Sequence, residues 1–90
     1  MFSCFKVTFV IPGAMNLKEK RMVVKSVKER LKSRFNVSAV EYGENDKWQI
    51  CEMCFALAAL SAAAADKGTQ DIIDFLYSDD RIQISDIERY

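Results

Sequence analysis

Histidine is absent from the sequence, proline occurs once, at Pro12, and glycine three times. Without histidine there is no imidazole acid/base chemistry, no Ser-His or Cys-His nucleophile pair, and no metal site that needs an imidazole ligand. Three scattered glycines build no phosphate loop of the Walker or dinucleotide type. The cysteines, Cys4, Cys51 and Cys54, are odd in number, which argues against a closed disulfide framework and fits a reducing compartment. No uninterrupted apolar run reaches the roughly 18 residues of a membrane span. The start, Met1-Phe2-Ser3-Cys4-Phe5-Lys6, also lacks the basic opening of a secretory signal. The expectation is a cytoplasmic, non-enzymatic protein with no cofactor, no metal, no membrane contact and no small-molecule substrate.

What is present is a short, apolar chain. Ninety residues, half of them hydrophobic, make one domain over 1–90 that buries about 60 to 65% of its unfolded surface. Nearly every large side chain must then lie in the core or at a contact with another molecule. Thirteen Lys/Arg balance thirteen Asp/Glu, but not evenly along the chain. Residues 17–34 hold eight Lys/Arg against Glu19 and Glu29, a local charge of +6 that leaves −6 for the rest. Such a chain can offer a positive face to a phosphate-rich partner although its bulk charge is zero.

Hydrophobic periodicity orders the elements. Phe5, Val7, Phe9 and Ile11 alternate with Lys6 and Thr8, a period of two that predicts a half-buried strand ending at Pro12-Gly13. Asn16 is a suitable helix N-cap, and Val23, Val24, Val27 and Leu31 recur at helical spacing up to Arg34. Residues 37–42 are β-prone and lead through Gly43-Glu44-Asn45-Asp46, a turn composition, into a strand from Trp48 to about Ala58. There the Ala- and Leu-rich run favours helix, so pairing with a neighbour must hold the strand. A second helix, starting near Ser61 and running to about Tyr77, would bury Ala62, Ala65, Ile72, Ile73 and Leu76, with Gly68 loosening its middle. Arg81 to Glu88 alternates as a one-sided edge strand.

Strand, helix, strand, strand, helix, strand in so few residues predicts the ferredoxin-like plait, a four-stranded antiparallel sheet with both helices on one face. Right-handed crossovers place the first and third strands in the centre. The runs Ile11-Pro12-Gly13-Ala14, Leu17-Lys18-Glu19-Lys20-Arg21, Phe35-Asn36-Val37-Ser38 and Trp48-Gln49 resemble those of the YlxP-like family of small bacterial proteins. That resemblance spans nearly the whole chain and implies the same plait. YlxP-like proteins are often encoded beside translation and ribosome-maturation genes, so the resemblance adds a genomic placement, which is association and not mechanism. The alanines of residues 58–67 depart from the family pattern, which usually has a short polar segment there.

Two surfaces stand out. Lys18, Arg21, Lys25, Lys28 and Lys32 recur at intervals of three and four and so share one flank of the first helix, the arrangement needed to contact the phosphate backbone of RNA or a ribosomal particle. The bland alternative is a solvated flank whose long stems cover the core edge. The second surface is the sheet face that no helix covers. Phe2, Cys4, Val10, Trp48, Ile50, Cys54 and Ala56 would lie on it among Lys6, Thr8 and Glu52, and so much apolar surface calls for a partner or a second copy. Phe2, Val10, Trp48 and Ile50 are the expected interface, with Trp48 as anchor, making a homo-oligomer through this face the alternative function. The turn before the first helix could also hold an anion at the helix N-terminus. Cys51-Glu52-Met53-Cys54 has CxxC spacing, but on a strand its two thiols point to opposite faces.

Overall fold

Phe5, Val7 and Phe9 lose all accessible surface along one face of the first strand, and Cys51, Met53 and Phe55 are buried opposite them. The computed structural model describes residues 1–42, 47 and 49–90. The elements run β1 (Phe2–Val10), α1 (Leu17–Arg34), β2 (Ser38–Glu41), β3 (Ile50–Ala58), α2 (Ala62–Tyr77) and β4 (Gln83–Arg89). All strand pairs are antiparallel and the sheet order is β2-β3-β1-β4, the ferredoxin-like plait with β1 and β3 in the centre. The turn expected at 43–46 lies outside the described residues, as does Trp48.

Pairing explains why an Ala- and Leu-rich segment becomes strand. β3 matches all nine residues of β1, from Phe2 opposite Ala58 to Val10 opposite Ile50, and the Phe5 and Phe55 rings stack with centroids 5.0 Å apart. A full ladder on a central strand outweighs a helix propensity of a few tenths of a kcal/mol per residue. The helix resumes only after Ser61, whose hydroxyl accepts from the Ala64 N–H and caps α2.

Both helices meet the same sheet face through narrow stripes. α1 buries Val24, Val27 and Leu31, with Val23 half-buried beside them, and α2 buries Ala65, Thr69, Ile72, Ile73, Phe75 and Leu76. Ala62, expected in the core, is exposed in the first turn of α2, because the buried face starts one turn later at Ala65. Gly68 sits where α2 comes close to β3; a methyl group there would lie 3.4 Å from Cδ1 of Leu57. The polar groups of this core are paired. The Thr69 hydroxyl donates to the Ala65 carbonyl and shares a 2.6 Å hydrogen bond with Ser3 of β1, tying α2 to the sheet. No helix among the described residues is long and apolar enough to cross a membrane.

Candidate nucleic-acid interface and the open sheet face

The basic flank begins at a well-made helix start. The Asn16 side chain accepts from the Glu19 N–H at 2.9 Å, and the Glu19 carboxylate turns back to accept from the Met15 N–H at 2.5 Å. This reciprocal cap fixes the direction of α1 and places a negative charge at the positive end of its dipole. It also puts a carboxylate where an anion would have to sit, so the turn at 12–16 is a capped helix start and not a phosphate cradle.

From that start, the burial of Val24, Val27 and Leu31 fixes the rotation of α1 and turns its charged flank outward. Lys18, Arg21, Lys25 and Lys32 are exposed and Lys28 is half-buried. At 1.5 Å per residue the five span about 21 Å of helix. Arg21, Lys25, Lys28 and Lys32 line a groove of about 430 Å³ together with Glu29 and with Glu41 at the end of β2. Lys18 stands outside that groove, one turn toward the helix start.

Pairing separates these five cations from the others. No carboxylate among the described residues lies within ion-pair distance of Lys18, Arg21, Lys25, Lys28 or Lys32. Lys6, Arg30, Lys67, Arg81 and Arg89, by contrast, all make ion pairs. Arg34 lies over the Phe75 ring at 5.0 Å. Lys20, two residues after Lys18, is 2% exposed on the core face, where its ammonium donates to the Lys47 carbonyl at 2.7 Å. The charge of Lys20 hides its place in the buried series 20, 24, 27 and 31, whose spacing is the signal that could have revealed it.

The uncovered sheet face is apolar at its rim and ionic at its centre. Phe2 is 85% exposed, while Val10 and Ile50 are half-buried and lie opposite one another across β1 and β3. Lys6 stands between Glu88, at 3.2 Å, and Glu52, at 4.0 Å, and its ammonium lies 5.5 Å from the centre of the Tyr42 ring. The hydrogen bond to Glu88 holds Lys6 above its ordinary lysine range and Glu88 below the ordinary carboxylate range. Tyr90 completes the group by donating its hydroxyl to Glu88 at 3.1 Å.

Residues 2–89 match the family described as "Protein of unknown function (DUF503)". The chain belongs to that family. It is also similar to the "Uncharacterized protein YlxP" of Bacillus subtilis (strain 168), with 36% identity over 69 residues, which are 77% of this chain and 75% of the relative. Neither description carries an enzymatic activity.

In this DUF503 chain the three thiols are separated by the strands that carry them. Cys51 is buried on the helix side, where desolvation pushes its thiol up to about 12, whereas Cys54 is half-buried on the open face. Strand alternation thus divides the CxxC pair as its spacing implies. Cys4 would face Cys54 across the ladder only in a register that sets Lys6 opposite Glu52. The observed partners are Lys6 with Cys54 and Thr8 with Glu52, and all three cysteines are free. The contributions of Tyr42, Glu88 and Tyr90 to the open face escaped a reading confined to the two central strands. Continuing the alternation along β2 and past Ile87 would have found them.

Proposed function

We propose that this protein is a non-enzymatic binding protein whose helix α1 contacts the phosphate backbone of RNA, free or within a ribosomal particle. Arg21, Lys25, Lys28 and Lys32 carry the contact and Lys18 extends it toward the helix start. The observation that carries this reading is the pairing pattern. Among the described residues, five cations aligned on one rigid flank have no carboxylate within ion-pair distance, whereas Lys6, Arg30, Lys67, Arg81 and Arg89 each make an ion pair. Contacts of this type set position and affinity without reading sequence. The sheet is poorly suited to base stacking, since its middle positions are Lys6, Thr8, Glu52 and Cys54 where an RNA-reading sheet presents aromatics.

The test is sedimentation of the tagged protein through sucrose gradients of its host lysate at low and high salt. Co-migration with ribosomal particles at low salt, lost at high salt and lost at low salt in a Lys25→Glu/Lys28→Glu variant, is the expected result. Absence from those fractions at both salts refutes the reading.

A further inference from the structure

The open face differs from the helix flank in charge as well as chemistry. On its paired rows Lys6 is the one cation, against Glu52, Asp86 and Glu88. Lys6 is shared between Glu88, at 3.2 Å, and Glu52, at 4.0 Å, so its single positive charge does not balance the three carboxylates, two of which, Glu52 and Asp86, flank Thr8. Three exposed aromatic side chains share this face: Tyr42, at 55%, beside Glu52; Tyr90, at 75%, on Glu88; and Phe2, at 85%, six residues from Thr8 at the far end of β1. Aromatic rings on a face where carboxylates outnumber cations form the setting in which an arginine or lysine gains both an ion pair and a cation–π contact.

From this arrangement we propose that the open sheet face docks a cationic, partly apolar polypeptide segment. Its Arg or Lys side chains lie against Glu52 and Asp86, and its apolar residues lie against Phe2, Tyr42 and Tyr90. Charge complementarity selects this occupant. RNA would bring its phosphates onto the surplus carboxylates. A second copy, stacked face to face, would oppose three carboxylates to the same three with one lysine on each side, a like-charge juxtaposition that costs specificity and affinity. The aromatic rim supplies the side chains that most often carry binding energy at protein interfaces. This site is separate from the α1 flank and does not depend on the RNA reading.

The probe is an N-acetylated, C-amidated decapeptide of alternating Arg and Val, titrated into the full chain at physiological salt, with its Glu/Val counterpart as control. Calorimetry gives the affinity and amide chemical shifts give the location. Perturbations are expected along β1 and β3 and at residues 42 and 88–90, with no binding of the acidic peptide. Glu52→Gln/Asp86→Asn, which leaves the Lys6–Glu88 pair in place, should weaken binding at least tenfold, and Tyr90→Ala several-fold. Asp74→Asn/Asp80→Asn, on exposed acids away from the face, should leave it within twofold. Equal losses in the two double variants, shifts centred on α2, or no binding at millimolar peptide would each overturn the proposal. So would a dimer in sedimentation velocity that Phe2→Asp dissociates and the peptide does not displace, because a second copy would then occupy the face.

Discussion

Asp79 holds Arg81 with both carboxylate oxygens, Oδ1 accepting from Nε at 3.0 Å and Oδ2 from Nη2 at 2.7 Å, just where α2 ends and the chain turns toward β4. The same carboxylate accepts the Arg81 backbone N–H and faces Arg30 of α1 at 3.6 Å, while Arg81 Nη1 donates to Ser26. Arg30 in turn lies over the Phe75 ring at 5.2 Å. One nearly buried carboxylate thereby joins the last half of α1, the end of α2 and the entry to β4.

This junction gives stability a defined pH dependence. The hydrogen bonds from Arg81 hold the Asp79 carboxyl below its ordinary value of 3.8. The folded state therefore favours the ionised form, and the contribution is complete above the unfolded value and lost as pH falls through the folded one. Asp79→Asn should cost about 1–2 kcal/mol at pH 7, tempered by the solvent exposure of both arginines. Thermal melts of the two proteins should differ by about 5–10 °C at neutral pH, and the gap should narrow below about pH 4. A gap that is unchanged at pH 3 would remove Asp79 ionisation as its cause.

Gly68 is an internal weakness of α2 that packing does not demand. A methyl group at this position would meet Leu57 Cδ1 at 3.4 Å, an ordinary contact with the end of a flexible side chain. Gly68→Ala should therefore recover most of the helix-interior cost of glycine, about 0.5–1 kcal/mol, and raise the melting temperature by several degrees. A lower melting temperature would mean that Leu57 cannot yield and that the close approach of α2 to β3 requires the glycine.

The plait could be read from the chain wherever periodicity, caps and turn residues agreed. Asn16 marked the start of α1, Ser61 that of α2, and the alternation from Phe5 to Ile11 fixed which face of β1 is buried. The Ala- and Leu-rich stretch of β3 was legible only through its partner, since local propensity there points to helix. What stayed hidden depended on register or on a residue acting against type. Parity alone allowed Lys6 to face Glu52, yet the ladder sets it opposite Cys54 and brings Glu88 of the far edge strand to it. Lys20 counts among the eight cations of residues 17–34, but its ammonium is turned inward onto the Lys47 carbonyl.

Thiol chemistry tests the strand alternation directly. With its thiol near 12, Cys51 is about one part in ten thousand thiolate at pH 8, and burial blocks access as well. An alkylating reagent at pH 8 should label Cys4 first and the half-buried Cys54 more slowly, with Cys51 reacting only after guanidinium unfolding. Mass spectrometry of the native protein should plateau at two adducts. Three adducts without unfolding would place Cys51 outside the core.

The five-cation flank can be counted in solution. If Lys18, Arg21, Lys25, Lys28 and Lys32 each neutralise one phosphate, log K for a labelled RNA hairpin should fall against log salt with a slope of about −3.5 to −4.5, single strands giving the shallower value. Replacing Lys25 or Lys28 by Gln should weaken binding at low salt to a similar degree for unrelated RNA sequences and make the slope shallower by about 1 per residue. Lys20→Gln makes the informative comparison. Lys20 lies in the same run of sequence, but its ammonium faces the interior, so the substitution should lower the melting temperature and leave the slope unchanged. If Lys20→Gln and Lys25→Gln reduce the slope equally, the contact follows local charge density along residues 17–34, and the flank fixed by the rotation of α1 is not the binding surface.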